Sequence, residues 1–444
     1  MNKAVKVLKI ALPVVGEMFL YTTIWVVDTA FVGHYGGNDA VSAVGYSSEI
    51  VRTIVNIFIM MGLGIGVTTT VAQHIGAKEQ EKAEEVLNQG ILVGFMIAIL
   101  VSLSLGLFSE QILKLAGASG EVVKLGSQFM RIVSVGAFFN MLLSILNAGL
   151  RGMGKTVIPL IISLVINVLV IFLDWTLIFG RFGLQPLGVV GSALATSIGY
   201  SIGFMCLLFY YKRYSEIKIK IKAIIKLNQM EMRKLVRISV PASLQEGTFS
   251  LARILVLIFV MQMGTIAFSA NQITATIESV SFMPGYGFAI ASMSLVGQSI
   301  GAKDYKQAKE YAVLSAVFCV GTMMVCIVPF LLIPEKLFGI FIDDPETIHL
   351  GVKCLMLAAL EQPFLALGMT LEGALKGSGN TKTPFKIALL TNWVLRVPLV
   401  YWFVVVLRWP VHFVWVVFAI HWIVESSLMV VAFIRQSRKW DLLA

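Results

Sequence analysis

The chain carries one scaffold written twice. Val71-Ala-Gln-His-Ile-Gly-Ala-Lys78 recurs as Val296-Gly-Gln-Ser-Ile-Gly-Ala-Lys303, an offset of 225 residues. The same offset takes Leu150-Arg-Gly-Met-Gly154 and Pro159 to Leu375-Lys-Gly-Ser-Gly379 and Pro384. Lys9-Ile-Ala-Leu-Pro13 is echoed by Arg237-Ile-Ser-Val-Pro241, with the offset drifting only to 228. Three echoes in one order mean that each half builds the same set of elements. In a strongly apolar chain, such duplication points to a transporter assembled from repeats around a site near the bilayer midplane.

At 57% hydrophobic and 14% charged residues, one soluble core could not bury the apolar surface. Runs of about 20 apolar residues recur, each long enough to cross a hydrocarbon layer of roughly 30 Å. Twelve are predicted, near 8–32, 46–70, 88–108, 121–149, 157–180, 188–211, 236–263, 269–297, 312–333, 347–375, 385–407 and 412–434. The first run continues into Asp28 and a Gly-rich turn, so it is read as span 1 rather than as a cleaved leader. Cys206, Cys319, Cys326 and Cys354 all fall inside apolar runs without metal spacing and are expected to pack as small hydrophobes.

The net charge of +10 does not point to nucleic acid, because its placement alternates along the chain. Lys and Arg gather at Lys3, Lys6 and Lys9, at Lys78 and Lys82, at Arg151 and Lys155, and between Lys212 and Arg237. They return at Lys303, Lys306 and Lys309, at Lys376 and Lys382, and at Arg435, Arg438 and Lys439, whereas 33–48 has none. This positive-inside pattern predicts a multi-pass protein of the plasma (inner) membrane with both termini in the cytoplasm. The expected halves are 1–214 and 233–444, joined by a basic cytoplasmic linker at 215–232. Within it Ile217-Lys-Ile-Lys-Ile-Lys222 alternates with period two, as a short strand, an amphipathic segment lying on the anionic leaflet, or a solvated linker.

Charged groups inside apolar spans are costly, so each is a functional candidate. Span 1 carries Glu17 and Asp28, eleven residues apart and so within about 20° of one helical face. Asn167 and Asp174 share a stripe of span 5, Asn140 and Asn147 one of span 4, and Thr196 lies on span 6. If Asp28 and Asp174 converge, two carboxylates with amide and hydroxyl oxygens form a hard-oxygen site for Na⁺ or a proton. A helix-capping role for either carboxylate is the structural alternative. The second half lacks this pair, since the offset of 228 sets Val256 against Asp28. It offers instead Gln245 and Glu246, just after Pro241, with Arg253 further along. Pro13 and Pro241 mark matched bends in spans 1 and 7. Glu49 and Arg52 are spaced to pair with each other, and a buried Arg396 calls for an anion such as Glu361 or Glu425. No phosphate loop, zinc helix or nucleophile elbow is present, so neither ATP-driven pumping nor enzymatic chemistry is expected.

With these features in place, the chain resembles the MATE family (multidrug and toxic compound extrusion) over essentially its whole length. The resemblance is carried by Val-Asp28-Thr-Ala-Phe-Val-Gly33, by Gly297-Gln-Ser-Ile-Gly-Ala302 with its partner near Gln73, and by Leu-Arg-Gly-x-Gly before Pro159. Leu173-Asp174 running into Ile-Phe-Gly180, and Gly-Ser-Ala-Leu-Ala-Thr196, extend it. The resemblance implies an all-α integral membrane fold: twelve transmembrane helices in two six-helix bundles related by a pseudo-twofold along the membrane normal. It implies a secondary antiporter, working as a monomer, that exports small organic cations or drugs for Na⁺ or H⁺ by alternating access. No other cofactor is implied. Asp28 then matches the family's helix 1 carboxylate and Pro13 its bending proline. Asp174 and Thr196 match the cation site of the N-terminal lobe, joined here by Asn167 and Asn147. Glu246, with Gln245 and Asp28, would meet the substrate. Two positions depart from the pattern: Val170 stands where an Asn is frequent, and Leu365 where the NorM-like branch has Asp, with Glu361 one turn away. A lipid-linked oligosaccharide flippase of the same superfamily is the second reading. It would need a cationic cavity, and the spans hold more carboxylates than cations.

Overall fold

A computed structural model describes residues 2–219 and 228–442, so residues 220–227 of the expected linker lie outside the described residues. The regular elements among the described residues are all helical. Among the described residues, twelve helices are long and apolar enough to span a bilayer, the number expected from the sequence. We label them α1 (Lys3–Gly37), α2 (Ala40–Gly76), α3 (Gln80–Leu107), α4 (Gly120–Gly152), α5 (Val157–Phe179) and α6 (Val189–Arg213). The second set is α7 (Gln229–Met261), α8 (Thr265–Gly301), α9 (Tyr305–Leu332), α10 (Pro345–Gly377), α11 (Lys382–Val406) and α12 (His412–Asp441). The chain is thus a multi-pass membrane protein, with long rows of exposed side chains such as Leu100, Leu103 and Leu107 suited to lipid.

The duplicated motifs turn out to be helix terminators. In both copies the lysine of Ile-Gly-Ala-Lys adopts the left-handed conformation, at φ 60 for Lys78 and 59 for Lys303. The same backbone bonds close both ends: Glu79 N–H donates to His74 O at 2.8 Å, and Asp304 N–H to Ser299 O at 2.9 Å. Gly154 and Gly379 take φ values of 74 and 87 just past α4 and α10, where a side chain would be strained. Their neighbours repeat as well, with Lys155 N–H on Leu150 O and Asn380 N–H on Leu375 O.

Close helix packing obeys the same offset. A Cβ on Gly152 would fall 2.7 Å from Thr68 O, and one on Gly377 only 2.3 Å from Met293 O. Thr68 and Met293 are themselves 225 apart, so α2 meets α4 as α8 meets α10, backbone against backbone. Neither carbonyl can swing away as a side chain could. Gly377→Ala is therefore expected to destabilise the fold by about 1–3 kcal/mol. The measurement is thermal unfolding of the purified protein in detergent, and an unchanged midpoint would refute the tight contact.

The chain packs as two compact units, Gly16–Ser243 and Met1–Val15 with Leu244–Ala444. The first is built on Ile59, Leu63 and Val67 of α2, Leu87 of α3, Met141 and Ile145 of α4 and Leu207 of α6. Leu235 at the start of α7 joins this core. In the second, Val7, Ile10 and Ala11 of α1 pack on Phe288, Ala291 and Leu295 of α8. Helices α1 and α7 thus each contribute their opening turns to the unit built mainly by the other sequence half. The exchange is locked at the helix ends. His74 sits 2.8 Å from Glu79 and 3.1 Å from Glu231, holding the start of α7 against the end of α2. Lys82, and then His74, hold the Glu79 carboxyl below the usual range by hydrogen bonding to it.

Candidate functional site

Within the unit 16–243, α1 turns one stripe inward: Glu17, Tyr21, Ile24 and Asp28 recur at helical spacing. Helix α5 answers with Ser163, Asn167 and Asp174. Asp28 is 6% exposed and its Oδ1 accepts a hydrogen bond from the Ser192 hydroxyl of α6. Asp174 is fully buried, within electrostatic range of Asp28, and both of its carboxylate oxygens lack a hydrogen-bond partner among the described residues. A buried, unsatisfied carboxylate is too costly to persist as a bare anion. A buried carboxyl of this kind is chemically suited to take up a proton or a small cation. Thr196 follows Ser192 by one turn of α6 and is half-buried.

Asn147 and Asn167 lie in a neighbouring cavity of about 40 Å³, which neither Asp28 nor Asp174 lines. Its walls include Glu17, Tyr21, Asn140, Asn147, Arg151 and Asn167. Arg151 Nη2 donates to both Glu17 oxygens, at 2.8 and 2.9 Å, with both side chains buried. Asn167 donates through Nδ2 to Ser163 O at 2.9 Å, while the Oδ1 atoms of Asn167 and Asn147 accept nothing among the described residues.

The other unit places Gln245 and Glu246 on α7, three turns short of the Val256 that stands opposite Asp28 in the repeat. Gln245 donates to Glu372 Oε1 at 3.0 Å, and Glu372 also pairs with Lys376 on the same helix. Glu246 is half-buried. Pro13 and Pro241 lie inside α1 and α7. Gln245, Glu372 and Lys376 are the repeat counterparts of Glu17, Asn147 and Arg151, at offsets 228, 225 and 225. Each half therefore sets one carboxylate and one amide beside a cation, with the two acceptors exchanged between helices.

The remaining membrane charges divide. Arg52 pairs with Glu49 as their spacing predicts, Nε to Oε2 at 3.1 Å. Arg396 lies within electrostatic range of the expected Glu361 and Glu425, and of Glu278, without direct contact. Its guanidinium lies over the rings of Phe418 and Phe249, 4.1 and 5.5 Å from their centroids, and forms no ion pair among the described residues. Glu425 accepts instead from Thr391 at 2.6 Å and lies 3.1 Å from His421. Aromatic faces thus stand nearest this cation, with the carboxylates beyond ion-pair distance.

Sequence reasoning overlooked Ser192 and the Glu17–Arg151 pair. Ser192 stands inside the Gly-Ser-Ala-Leu-Ala-Thr196 motif, while the sequence around Arg151 suits a loop charge. The exchange of Glu17 and Asn147 for Gln245 and Glu372 at the repeat offsets was the available signal.

The family model described as MatE matches residues 13–176 and 241–402. The chain is 28% identical over 440 residues to a "Probable multidrug resistance protein NorM" of Thermotoga maritima, covering 98% of this chain and 93% of that relative. It is 25% identical over 428 residues to an "Uncharacterized transporter YisQ" of Bacillus subtilis, covering 96% and 93%. Among solved structures it is similar to the "Outward-facing conformation of a multidrug resistance MATE family transporter of the MOP superfamily", with a TM-score of 0.91 at 18% identity, over 99% of this chain and 97% of that one. A "Crystal structure of MATE in the bent conformation" gives 0.90 at 19% identity, over 100% and 97%. At such identities the structural likeness speaks for the fold.

Proposed function

The chain belongs to the MatE family of membrane transporters, and on that premise we propose that it is a secondary multidrug antiporter coupling inward flow of Na⁺ or H⁺ to export of organic cations. The observation that carries the coupling reading is Asp174, buried within electrostatic range of Asp28, with two carboxylate oxygens that have no partner among the described residues. In hydrocarbon, such a carboxyl is neutralised either by a proton or by a cation shared with its neighbour. Ser192 and Thr196 add hydroxyl oxygens of the kind Na⁺ accepts. Ion binding removes a charge from α1, the helix that carries Pro13, and so biases one conformation against another. Asn147 and Asn167 extend the polar surface beside this pair. Glu246 and Gln245 supply a carboxylate and an amide in the second unit for a cationic substrate, and the multidrug names of relatives support that substrate class. A monomer in the plasma membrane, with both termini cytoplasmic as the basic loops indicate, is the working form.

The test is efflux of ethidium from proteoliposomes under separately imposed Na⁺ and H⁺ gradients. Export driven by one gradient and not the other identifies the ion, and export under neither rejects the antiporter. In the same assay Glu246→Gln is expected to raise the apparent KM for ethidium roughly tenfold, about 1.4 kcal/mol of lost binding. Unchanged KM removes Glu246 from the substrate site.

A further inference from the structure

We propose that the coupling ion passes between the Asp28–Asp174 pair and the cytoplasm through the interior of the unit 16–243, with the Glu17–Arg151 ion pair as the inner gate of that path. This rests on the coupling role proposed for Asp28. The stripe of α1 that bears Asp28 runs through Ile24 and Tyr21 to Glu17, about 16 Å away at 1.5 Å per residue. All three lower members line the 40 Å³ cavity. Tyr21 and Tyr200 both line the cavity, and Tyr200 is within electrostatic range of Asp28. The phenols of Tyr21 and Tyr200 thus stand on the side of the chamber toward the carboxylate pair.

The chamber is built for a donor or a cation. Asn147 and Asn167 are 7% and 3% exposed, and their Oδ1 atoms accept nothing among the described residues. A buried acceptor left unmatched costs about 1–3 kcal/mol. Two of them in one small space ask for an occupant with positive character. At about 10–15 Å³ per water, the chamber has room for a monovalent ion with a water or two, or for a short water chain carrying a proton. The occupant is the small ion.

The far wall explains the gate. Arg151 lies one residue before the end of α4, at the basic loop that also carries Lys155. Its fixed positive charge repels a cation in the chamber, and Glu17 neutralises that charge while holding the guanidinium across the exit. An arriving cation competes with Arg151 for Glu17. The pair can then part as the ion leaves and close again behind it.

The experiment uses the full-length protein in proteoliposomes, without drug, and follows Na⁺ and H⁺ entry with indicator dyes. Glu17→Gln/Arg151→Gln removes both gate charges together and leaves no unpaired ion. It is expected to leak ion at least tenfold faster than the native protein, and adding Asp28→Asn is expected to stop the leak. A monodisperse double variant with native ethidium affinity and no leak overturns the gate. A leak untouched by Asp28→Asn leaves the gate standing and removes Asp28 from the ion site. A second variant keeps the gate intact: Ser144→Leu fills the chamber with apolar bulk, because Ser144 lines it. It should cut gradient-driven ethidium efflux at least tenfold while ethidium binding and the thermal midpoint are retained. Native efflux from folded Ser144→Leu overturns the path.

Discussion

Asp28→Asn is expected to fold, insert and bind ethidium, yet to lose gradient-driven efflux by a factor of ten or more. Asparagine keeps the shape of the side chain and can still accept from Ser192. It removes a buried charge, so stability should be kept or raised. Antiport requires that the ion prefer one conformation and the drug another. A permanently neutral residue 28 cannot change that preference when the gradient is imposed. Asp174→Asn should be milder, since Asp28 retains a hydroxyl partner and can still bind an ion weakly. The readout is ethidium efflux from proteoliposomes alongside equilibrium ethidium binding. Full coupled export by Asp28→Asn would place the coupling residues in the second unit.

Arg151→Ala is expected to be the most destabilising single charge deletion in the first unit. Glu17 and Arg151 have side-chain exposures of 7% and 6%, so truncating the cation strands a carboxylate in an apolar bundle. Breaking one partner of such a pair costs about 3–5 kcal/mol, whereas removing both is close to neutral. Folded yield and the thermal midpoint in detergent should fall sharply for Arg151→Ala and recover in Arg151→Ala/Glu17→Gln. The repeat supplies a control. Glu372, the partner of Lys376, is 21% exposed, and Gln245 still donates to it. Lys376→Ala should therefore cost distinctly less. Equal losses at the two sites would mean that burial of the carboxylate does not set the penalty.

What the sequence made legible followed from short-range chemistry. Twelve spans emerged because lipid demands long apolar helices, and the repeat emerged because each half must end its helices in the same way. Lys78 with Lys303, and Gly154 with Gly379, are visible as motifs because left-handed helix ends restrict residue choice wherever they occur. The stripes of α1 and α5 were equally accessible, since helical periodicity alone puts Glu17 in line with Asp28 and Asn167 in line with Asp174.

Which stripe meets which neighbour was decided by packing. Ser192 rather than a more distant polar residue reaches Asp28 because α6 docks beside α1 in that register. Arg151 turns inward to Glu17 although its position beside a basic loop suits a solvated charge equally well. Arg396 settles over Phe249 and Phe418 because a guanidinium can be stabilised by ring faces as well as by a carboxylate, and composition does not choose between them. The opening turns of α1 and α7 join the unit built mainly by the opposite half, a pairing no local rule encodes. A sequence states what each helix face carries; which faces meet depends on steric fit among residues hundreds of positions apart, as when Gly377 lets Met293 approach within its missing Cβ.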